Sequence, residues 1–174
     1  MLSEMKRFTG IALLFFLVTA VGQSQSFKFA HINSDELLQA LPEYDTASAH
    51  LEKYRQELIN YLDVMQVELN NKSEAYNKDS KNLTDLVRQA KEQELIDLNR
   101  KIQEYQQNAQ EQYQNKQAEL FQPIYQKVDK AIKDVGKENG FIYVFDVSKG
   151  SILYFDTTKS TDIMALAKAK LGLK

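Results

Sequence analysis

A long central segment, residues 43–135, sets narrow apolar stripes against a strongly polar background. It contains no glycine and a single proline, and its apolar residues recur at spacings of three and four, the period of one helix face. The first stripe comprises Leu51, Leu58, Leu62, Met65, Leu69 and Tyr76. The second stripe comprises Leu95, Leu98, Ile102, Tyr105, Ala109 and Leu120. Stripes this narrow cannot enclose a globular core and are typical of a coiled coil with most of its surface in water.

The stripe pattern is interrupted at residues 77–82, which consist only of Asn, Lys, Asp and Ser. Asn, Asp and Ser side chains hydrogen-bond to their own backbone and favour turns. The alternatives are a hairpin with arms of roughly 65–80 Å and one straight helix of roughly 140 Å. We favour the hairpin, because it returns the first predicted strand to the later ones, and a single strand is not stable alone.

Short elements precede the central segment. Residues 27–32 are rich in aromatic and β-branched side chains and predict a strand. A short helix over residues 35–41 follows, and a polar side chain at positions 33–35 caps its start. Proline lacks the N–H that a helix interior needs but fits a first turn, so Pro42 predicts the bend into the long helix.

The returning helix changes character near its end. Pro123 predicts a bend, and beyond it the apolar face widens, which indicates fuller burial where the arm joins a body. Gly136 and Gly140 are predicted to mark the end of this helix.

Two strands and a helix are predicted after the arm. Residues 141–147 form the strongest strand pattern in the chain, and residues 152–155 predict its partner strand. Both segments carry apolar residues on both faces, so both faces need covering. A final helix is predicted to start at residues 160–162 and to stop at Gly172.

These elements define an α+β fold that is mainly α: a long antiparallel helical hairpin projecting from a small β-sheet body with a C-terminal helix. Residues 25–42 and 136–174 form the body, and residues 43–135 form the arm, with its tip near 77–83. So small a body rarely supports its own core, which predicts oligomerisation through apolar sheet residues. The predicted contacts are Phe27, Phe29, Ile32, Phe141, Tyr143, Phe145, Ile152 and Tyr154.

The N-terminal 24 residues have the organisation of a secretory signal peptide. Lys6 and Arg7 precede a short apolar run, and small residues follow it. The run is short for a membrane span, so we favour a removed signal over a retained anchor. The sequence therefore predicts an exported protein.

Charge and residue types exclude several classes of function. Without Glu4, Lys6 and Arg7 the chain has 20 basic and 23 acidic residues, a net charge of −3. Such a balance does not suggest a nucleic-acid binder and gives no support for contact with an anionic membrane. There is no cysteine and no glycine-rich phosphate loop, and the only histidines are His31 and His50. We find no catalytic, metal or cofactor constellation and expect a protein that is not an enzyme.

The hairpin tip is a candidate binding surface. Between Lys72 and Lys91 there are five basic and three acidic residues, so the tip is mildly positive in an acidic chain. Apolar residues lie nearby, which suits a flexible, partly apolar client; the other interpretation is an ordinary solvated hairpin end. The candidate client-binding residues are Tyr76, Lys78, Lys81, Leu83, Leu86, Val87 and Arg88.

The order of these pieces resembles one family. The chain contains, in this order, a signal peptide, a strand running into Ile-Asn-Ser-Asp-Glu-Leu-Leu at 32–38, Leu-Pro-Glu-Tyr at 41–44, a Gln/Glu/Lys-rich hairpin, Pro-Ile at 123–124 and Lys-Glu-Asn-Gly-Phe at 137–141. This resembles the Skp (OmpH) family of periplasmic chaperones, particularly forms from Bacteroidetes-like bacteria, over nearly the whole mature chain.

The resemblance implies a jellyfish-like homotrimer in which three hairpins project from a shared body around a cavity. It also implies a periplasmic holdase that shields unfolded outer-membrane β-barrel proteins without ATP. The best-known members are strongly basic whereas this chain is mildly acidic, so we transfer neither electrostatic client capture nor a lipopolysaccharide site. The alternative is a periplasmic coiled-coil spacer that binds one folded partner.

Overall fold

The computed structural model describes residues 27–150 and 152–173; the predicted signal peptide lies outside them. The elements are β1 (Lys28–Ile32), α1 (Ser34–Gln39), α2 (Pro42–Asp79), a 3-10 turn (Ser80–Asn82), α3 (Asp85–Glu138), β2 (Phe141–Asp146), β3 (Ser160–Asp162) and α4 (Met164–Lys170). The three strands form one parallel sheet in the order β2-β1-β3. The predicted mainly helical α+β fold is confirmed.

Capping and proline signals in the local sequence account for the first two helices. The Asn33 side chain caps α1, accepting a hydrogen bond from the Glu36 N–H at 3.1 Å. Helix α2 begins directly at Pro42, whose fixed φ and missing N–H suit a first helical position. The predicted strand, short helix and bend are therefore all present.

The chain reverses direction where the turn residues predicted it. Helix α2 ends at Asp79, the 3-10 turn follows, and the Thr84 side chain caps α3. Two hydrogen bonds join the arms far from the turn: the Tyr54 hydroxyl donates to Gln112 Oε1 at 3.0 Å, and the Tyr105 hydroxyl donates to the Leu58 carbonyl at 3.3 Å. The hairpin is confirmed and the straight helix is excluded.

The two apolar stripes form the seam between the arms. All twelve of their residues are buried or half-buried, and Leu51, Leu98 and Ile102 are the most buried of them. Most other arm residues are exposed. At 1.5 Å per residue, the 38 residues of α2 span roughly 57 Å and the 54 residues of α3 roughly 80 Å, so the end of α3 extends into the body.

The body core lies where the wider face of α3 meets the sheet. The almost fully buried residues are Ala30 and Ile32 of β1, Leu37 of α1, Ile163 just before α4, and Ala167 within α4. The residues that α3 contributes to the same cluster are Phe121, Ile124, Val128 and Val135. The predicted widening of the apolar face beyond Pro123 is confirmed.

One predicted strand is wrong. Residues 152–155 are not part of the sheet, and residues 160–162 occupy the second edge of β1 instead. The composition of 152–155 suits a strand, but strand formation needs a partner that composition does not specify. Within this chain the segment connects the β2 edge of the sheet to its β3 edge, and the Phe155 ring lies 4.6 Å from the His31 ring of the central strand.

Two helix boundaries also differ from prediction. Helix α3 continues through Gly136, where a Cβ atom would lie 3.3 Å from Val144 Cγ2, so this glycine serves close packing against β2. Gly140 follows the helix with φ of 69°, a conformation that glycine adopts without strain. Helix α4 begins at Met164 rather than at 160–162, because those residues extend the sheet.

The seam is expected to supply most of the hairpin's stability. Ile102 is 5% exposed and Ile96, on the same helix, is 61% exposed. We expect Ile102→Ala to lower the free energy of unfolding by roughly 2–4 kcal/mol, because it leaves a cavity between the arms. Ile96→Ala, the matched control, should change it by less than about 0.5 kcal/mol. Urea unfolding at one protein concentration measures both, and equal effects would contradict this seam.

Candidate binding surfaces

The candidate client-binding residues, here called the tip surface, all lie around the reversal of the hairpin. They are Tyr76, Lys78, Lys81, Leu83, Leu86, Val87 and Arg88. Leu86 is 78% exposed and Val87 is 42% exposed, and both lysines are exposed. Tyr76, Leu83 and Arg88 are half-buried. The tip surface therefore divides into groups that face water and groups that pack within the turn.

Polar contacts explain this division. The Arg88 guanidinium donates to the Leu83 carbonyl at 3.3 Å and pairs with Asp85 at 3.4 Å. The Tyr76 hydroxyl donates to the Glu92 carboxylate across the arms, and this hydrogen bond raises the pKa of Tyr76 above its ordinary value. Arg88 and Tyr76 hold the turn, so the groups open to a partner are Leu86, Val87 and the two lysines.

Charges along the arm are largely paired with one another. Near the tip, Lys72 contacts Glu94 on the opposite arm and Glu68 one turn away at 3.4 Å. The hydrogen bond to Glu94 raises the pKa of Lys72. Nearer the body, Lys127 binds Glu43 across the arms at 2.5 Å. Such pairing lowers the net field that the arm presents to an approaching molecule.

The arms also expose apolar side chains that lie outside both stripes. Their exposed fractions range from 56% to 64%. These residues are Tyr61, Val64, Val67 and Ile96. The stripe pattern does not predict these residues, because they do not face the seam; apolar residues off the heptad register on a polar helix were the available signal.

A second surface lies on the sheet, where Phe29, Tyr143 and Phe145 form what we call the aromatic face. Phe29 pairs with Tyr143 in the register of β1 and β2, and its ring centroid lies 6.3 Å from each of the other two rings. The Tyr143 and Phe145 centroids are 5.9 Å apart. Tyr143 remains 59% exposed and Phe145 37% exposed. The helices cover the opposite face of the sheet, so a single chain leaves the aromatic face partly uncovered.

The other predicted oligomer contacts divide between core and surface. Ile32 is only 1% exposed because its strand position faces the helices, so it belongs to the chain's own core. Phe141 packs against that core and is half-buried, as is Ile152. Phe27 and Tyr154 are exposed by 69% and 84%.

Asp146 ties the end of β2 to the start of α1. Its carboxylate accepts hydrogen bonds from the Ser34 hydroxyl at 2.5 Å, the Ser34 N–H at 3.2 Å and the Ser148 N–H at 3.0 Å. Burial alone would raise the pKa of Asp146, but these hydrogen bonds outweigh it and lower the pKa below its ordinary value. The arrangement fixes one end of the sheet's edge strand.

The two histidines lie on different elements, His31 in β1 and His50 in α2. His31 shares a 2.9 Å hydrogen bond between its Nδ1 and Ser160 Oγ, and His50 is exposed on the arm. Across residues 27–150 and 152–173, no cluster of three or more His, Cys, Asp or Glu side chains has a metal-binding arrangement. In the same residues no helix is both long and apolar enough to span a bilayer.

The fold and its surfaces define a class of protein: a slender helical hairpin that projects from a small parallel sheet and exposes apolar groups on its arm and on its sheet. The chain belongs to the OmpH-like outer membrane protein family, whose model matches residues 28–171. No curated protein matches it.

A solved structure shares the fold. The crystal structure of an OmpH-like candidate outer membrane chaperone from Caulobacter crescentus aligns with a TM-score of 0.70 at 14% sequence identity. The alignment covers 83% of this chain and 83% of that chain. The likeness therefore extends over both the arm and the body.

The Asp146 contacts predict a pH-dependent contribution to stability. We expect Asp146→Asn to lower the free energy of unfolding by about 1 kcal/mol at pH 7, a modest value for a partly exposed carboxylate. Because the folded pKa lies below the unfolded value of about 3.9, the contribution is complete above that pH and is lost as pH falls below it.

Urea unfolding between about pH 7 and pH 3 should show the gap between the wild type and Asp146→Asn closing at the acid end. Asp63→Asn, on the exposed surface of α2, is the control and should show no such gap. A gap that widens on acidification would contradict the assigned hydrogen bonds.

Proposed function

We propose that this protein is a periplasmic holdase chaperone that binds unfolded outer-membrane β-barrel proteins without ATP. Membership of the OmpH-like family supports this role. The observation that carries the proposal is the arm itself, a stable helical hairpin that exposes Leu86, Val87 and several mid-arm apolar side chains to solvent. No step in this role requires a catalytic group or a cofactor.

The physical basis is the sum of many weak contacts. An unfolded β-barrel protein exposes apolar residues along its whole length and aggregates through them. Scattered apolar groups along an arm engage several client segments at once, and each contact alone is weak. The client is therefore kept from other clients while remaining mobile enough to leave without ATP hydrolysis.

We propose that three copies assemble through their bodies and that their arms surround the client. The small core and the exposed aromatic face support assembly, since apolar area of this kind is normally covered in a stable protein. Three hairpins around one axis would form a cavity whose walls carry the exposed arm residues. A cavity of this kind isolates one client molecule from the next.

The central test is prevention of aggregation. A denatured outer-membrane β-barrel protein is diluted out of urea, and light scattering is followed with and without the mature protein. We expect scattering to be suppressed for several unrelated barrels near stoichiometric amounts. A spacer that binds one folded partner would leave scattering unchanged, and that result would overturn the proposed function.

Client capture is expected to depend little on salt. The chain is mildly acidic and many of its arm charges are paired with opposite charges, so we expect apolar contacts to contribute most of the binding. Raising the ionic strength from about 0.05 to 0.5 M screens surface charges but does not weaken apolar contacts. Suppression of scattering, corrected for the client alone at each salt concentration, should change less than about twofold. A tenfold loss would indicate electrostatic capture.

The tip surface is expected to contribute part of the binding. The double variant Leu86→Ser and Val87→Ser removes its two exposed apolar side chains without touching the seam. We expect about twofold to tenfold weaker suppression of scattering, with unchanged helix content by circular dichroism. Leu166→Ser on the body, where the leucine is 42% exposed, is the control. Equal activity of the tip variant and the wild type would assign client binding to the rest of the arm.

A further inference from the structure

The two sides of the arm differ in their chemistry. Consecutive residues of a helix are about 100° apart, so the residue after each seam residue lies on one side of the seam and the residue before it lies on the other. In α3 the seam residues in question are Leu95, Leu98, Ile102, Tyr105 and Ala109. The residues that follow them form what we call the amide flank: Ile96, Asn99, Gln103, Gln106 and Gln110. The residues that precede them form the charged flank: Glu94, Asp97, Lys101, Glu104 and Asn108.

Two open clefts between the arms lie along the amide flank. One, of about 530 Å³, is lined by Asn99 and Gln103 of α3 and by Asn70 of α2, among others. The other, of about 320 Å³, lies nearer the body and is lined by Gln106 and Gln110. Among the described residues no carboxylate lines either cleft, although residues 43–135 include 17 acidic and 13 basic side chains. The acidic groups of the arm are therefore kept away from this side.

The charged flank has the opposite character. It borders a cleft of about 410 Å³ whose charged lining residues are Glu68, Lys72, Glu94, Asp97 and Lys101. Lys72 contacts both glutamates, so these groups bind one another between the arms. A partner on this side would compete with ion pairs, whereas a partner on the amide flank would not.

The cationic groups of the amide flank are already compensated. Arg55 and Arg100 line its clefts. Arg55 Nη2 lies 2.6 Å from Glu52 Oε1, and Arg100 Nη2 lies 2.9 Å from Asp97 Oδ1. Since phosphate-rich partners are held by uncompensated positive charge, this pairing argues against an anionic occupant. The amide flank suits a partner without strong net charge.

Side-chain amides match an unfolded backbone. Each amide has two N–H donors and a carbonyl acceptor, the same kinds of group as the peptide bond. The Gln103 side chain donates to Asn99 Oδ1 at 3.2 Å, which uses one donor and one acceptor and leaves the pair able to donate and to accept further bonds. A chain outside regular secondary structure has backbone N–H and C=O groups that need partners. Amides therefore serve such a chain whatever its sequence or direction.

Apolar side chains lie beside the amides. Ile96 is 61% exposed, and Ile59, Leu62 and Tyr113 are half-buried in the cleft nearer the body. The strands of a membrane β-barrel alternate apolar and polar side chains. An extended segment of such a protein can place apolar side chains in the clefts while its backbone meets the amides.

The dimensions favour a loosely held occupant. From Ile96 to Tyr113 the flank is roughly 26 Å long, which is enough for about eight residues of extended chain. Its side chains recur about every 5.3 Å, whereas the side chains on one face of an extended chain recur about every 6.7 Å. Because the two repeats do not match, only some of the contacts form in any one position, and the segment is free to slide.

We propose that the amide flank is the client-facing side of the arm, and that extended segments of an unfolded outer-membrane β-barrel protein lie along it with backbone groups hydrogen-bonded to its amides. This inference rests on the proposed function and deepens it by assigning the client to one side of the hairpin. In the proposed trimer the amide flanks would line the cavity and the charged flanks would face bulk solvent.

Photo-cross-linking tests the assigned side directly, because the chain has no native cysteine. A benzophenone maleimide is attached to Gln106→Cys or Gln110→Cys on the amide flank, and to Glu104→Cys or Asn108→Cys on the charged flank, all of which are exposed positions. Each labelled protein is irradiated with an unfolded barrel protein freshly diluted from urea. We expect at least threefold more cross-linked client from the amide flank. Equal yields from the two flanks, or a higher yield from the charged flank, would overturn the proposal.

A triple variant tests the role of the amides themselves. Gln103→Met, Gln106→Met and Gln110→Met keep the side-chain length and remove the hydrogen-bonding groups. We expect threefold to tenfold weaker suppression of client scattering. Because methionine is more apolar than glutamine, equal or stronger suppression would show that apolar contact alone holds the client, and the role of the amides would be refuted.

The matched control changes three exposed amides that line none of the three clefts: Asn60→Leu, Asn71→Leu and Asn108→Leu. It should stay within twofold of the wild type. Circular dichroism and sedimentation check that each variant keeps its helix content and mass. The corresponding Gln→Glu triple variant removes N–H donors without adding apolar area, and it should show the same loss at about 0.5 M salt, where its added charge is screened.

The two proposals fail separately. A wild type that does not suppress scattering would refute the proposed holdase, and the client surface with it. Suppressed scattering together with equal cross-linking from both flanks would refute only the assignment of the client to the amide flank.

Discussion

The apolar seam between α2 and α3 is the interaction on which the rest of the structure depends. Strand β1 and strand β2 are separated by more than a hundred residues, and they pair only because the hairpin brings the chain back to its start. Residues such as Leu98 and Ile102 close the seam with a narrow line of burial, while the surrounding arm surface stays in water. Loss of the seam would remove the arm and separate the strands of the body.

Helix α3 connects the seam of the arm to the core of the body. Over its first turns it has the narrow stripe of a coiled coil, and from Phe121 to Val135 it has the broad face of a core helix. One continuous element therefore serves as half of the arm and as the main support of the sheet. The arm is anchored by packing rather than by a flexible joint, which suits a protein whose proposed role is to hold a client at a distance from its body.

Local signals in the sequence predicted the arm well. All twelve residues that helical periodicity placed in the two stripes are buried or half-buried, and the polar residues at 77–82 identified the reversal. Both signals depend on neighbours close in the chain. The sheet was harder, because strand pairing is decided between distant segments. Ser160, Thr161 and Asp162 have no strong strand pattern, yet they pair with Phe29, Ala30 and His31, while the stronger pattern at 152–155 has no partner within the chain.

The prediction of the sheet surfaces met the same limit. Side chains alternate between the two faces of a strand, so Phe29 lies on the aromatic face and Ile32 in the core, and only the position along the strand decides between the two faces.

The most direct test of the central claim, that the seam holds the two arms side by side, is a distance between the arms. Spin labels on cysteines introduced at Tyr54 and Gln112, diluted with unlabelled chains, would report one intramolecular distance. The hairpin, in which the side chains of these residues share a 3.0 Å hydrogen bond, predicts a label separation below about 25 Å. A straight helix would place the labels roughly 85 Å apart, and that result would contradict the account.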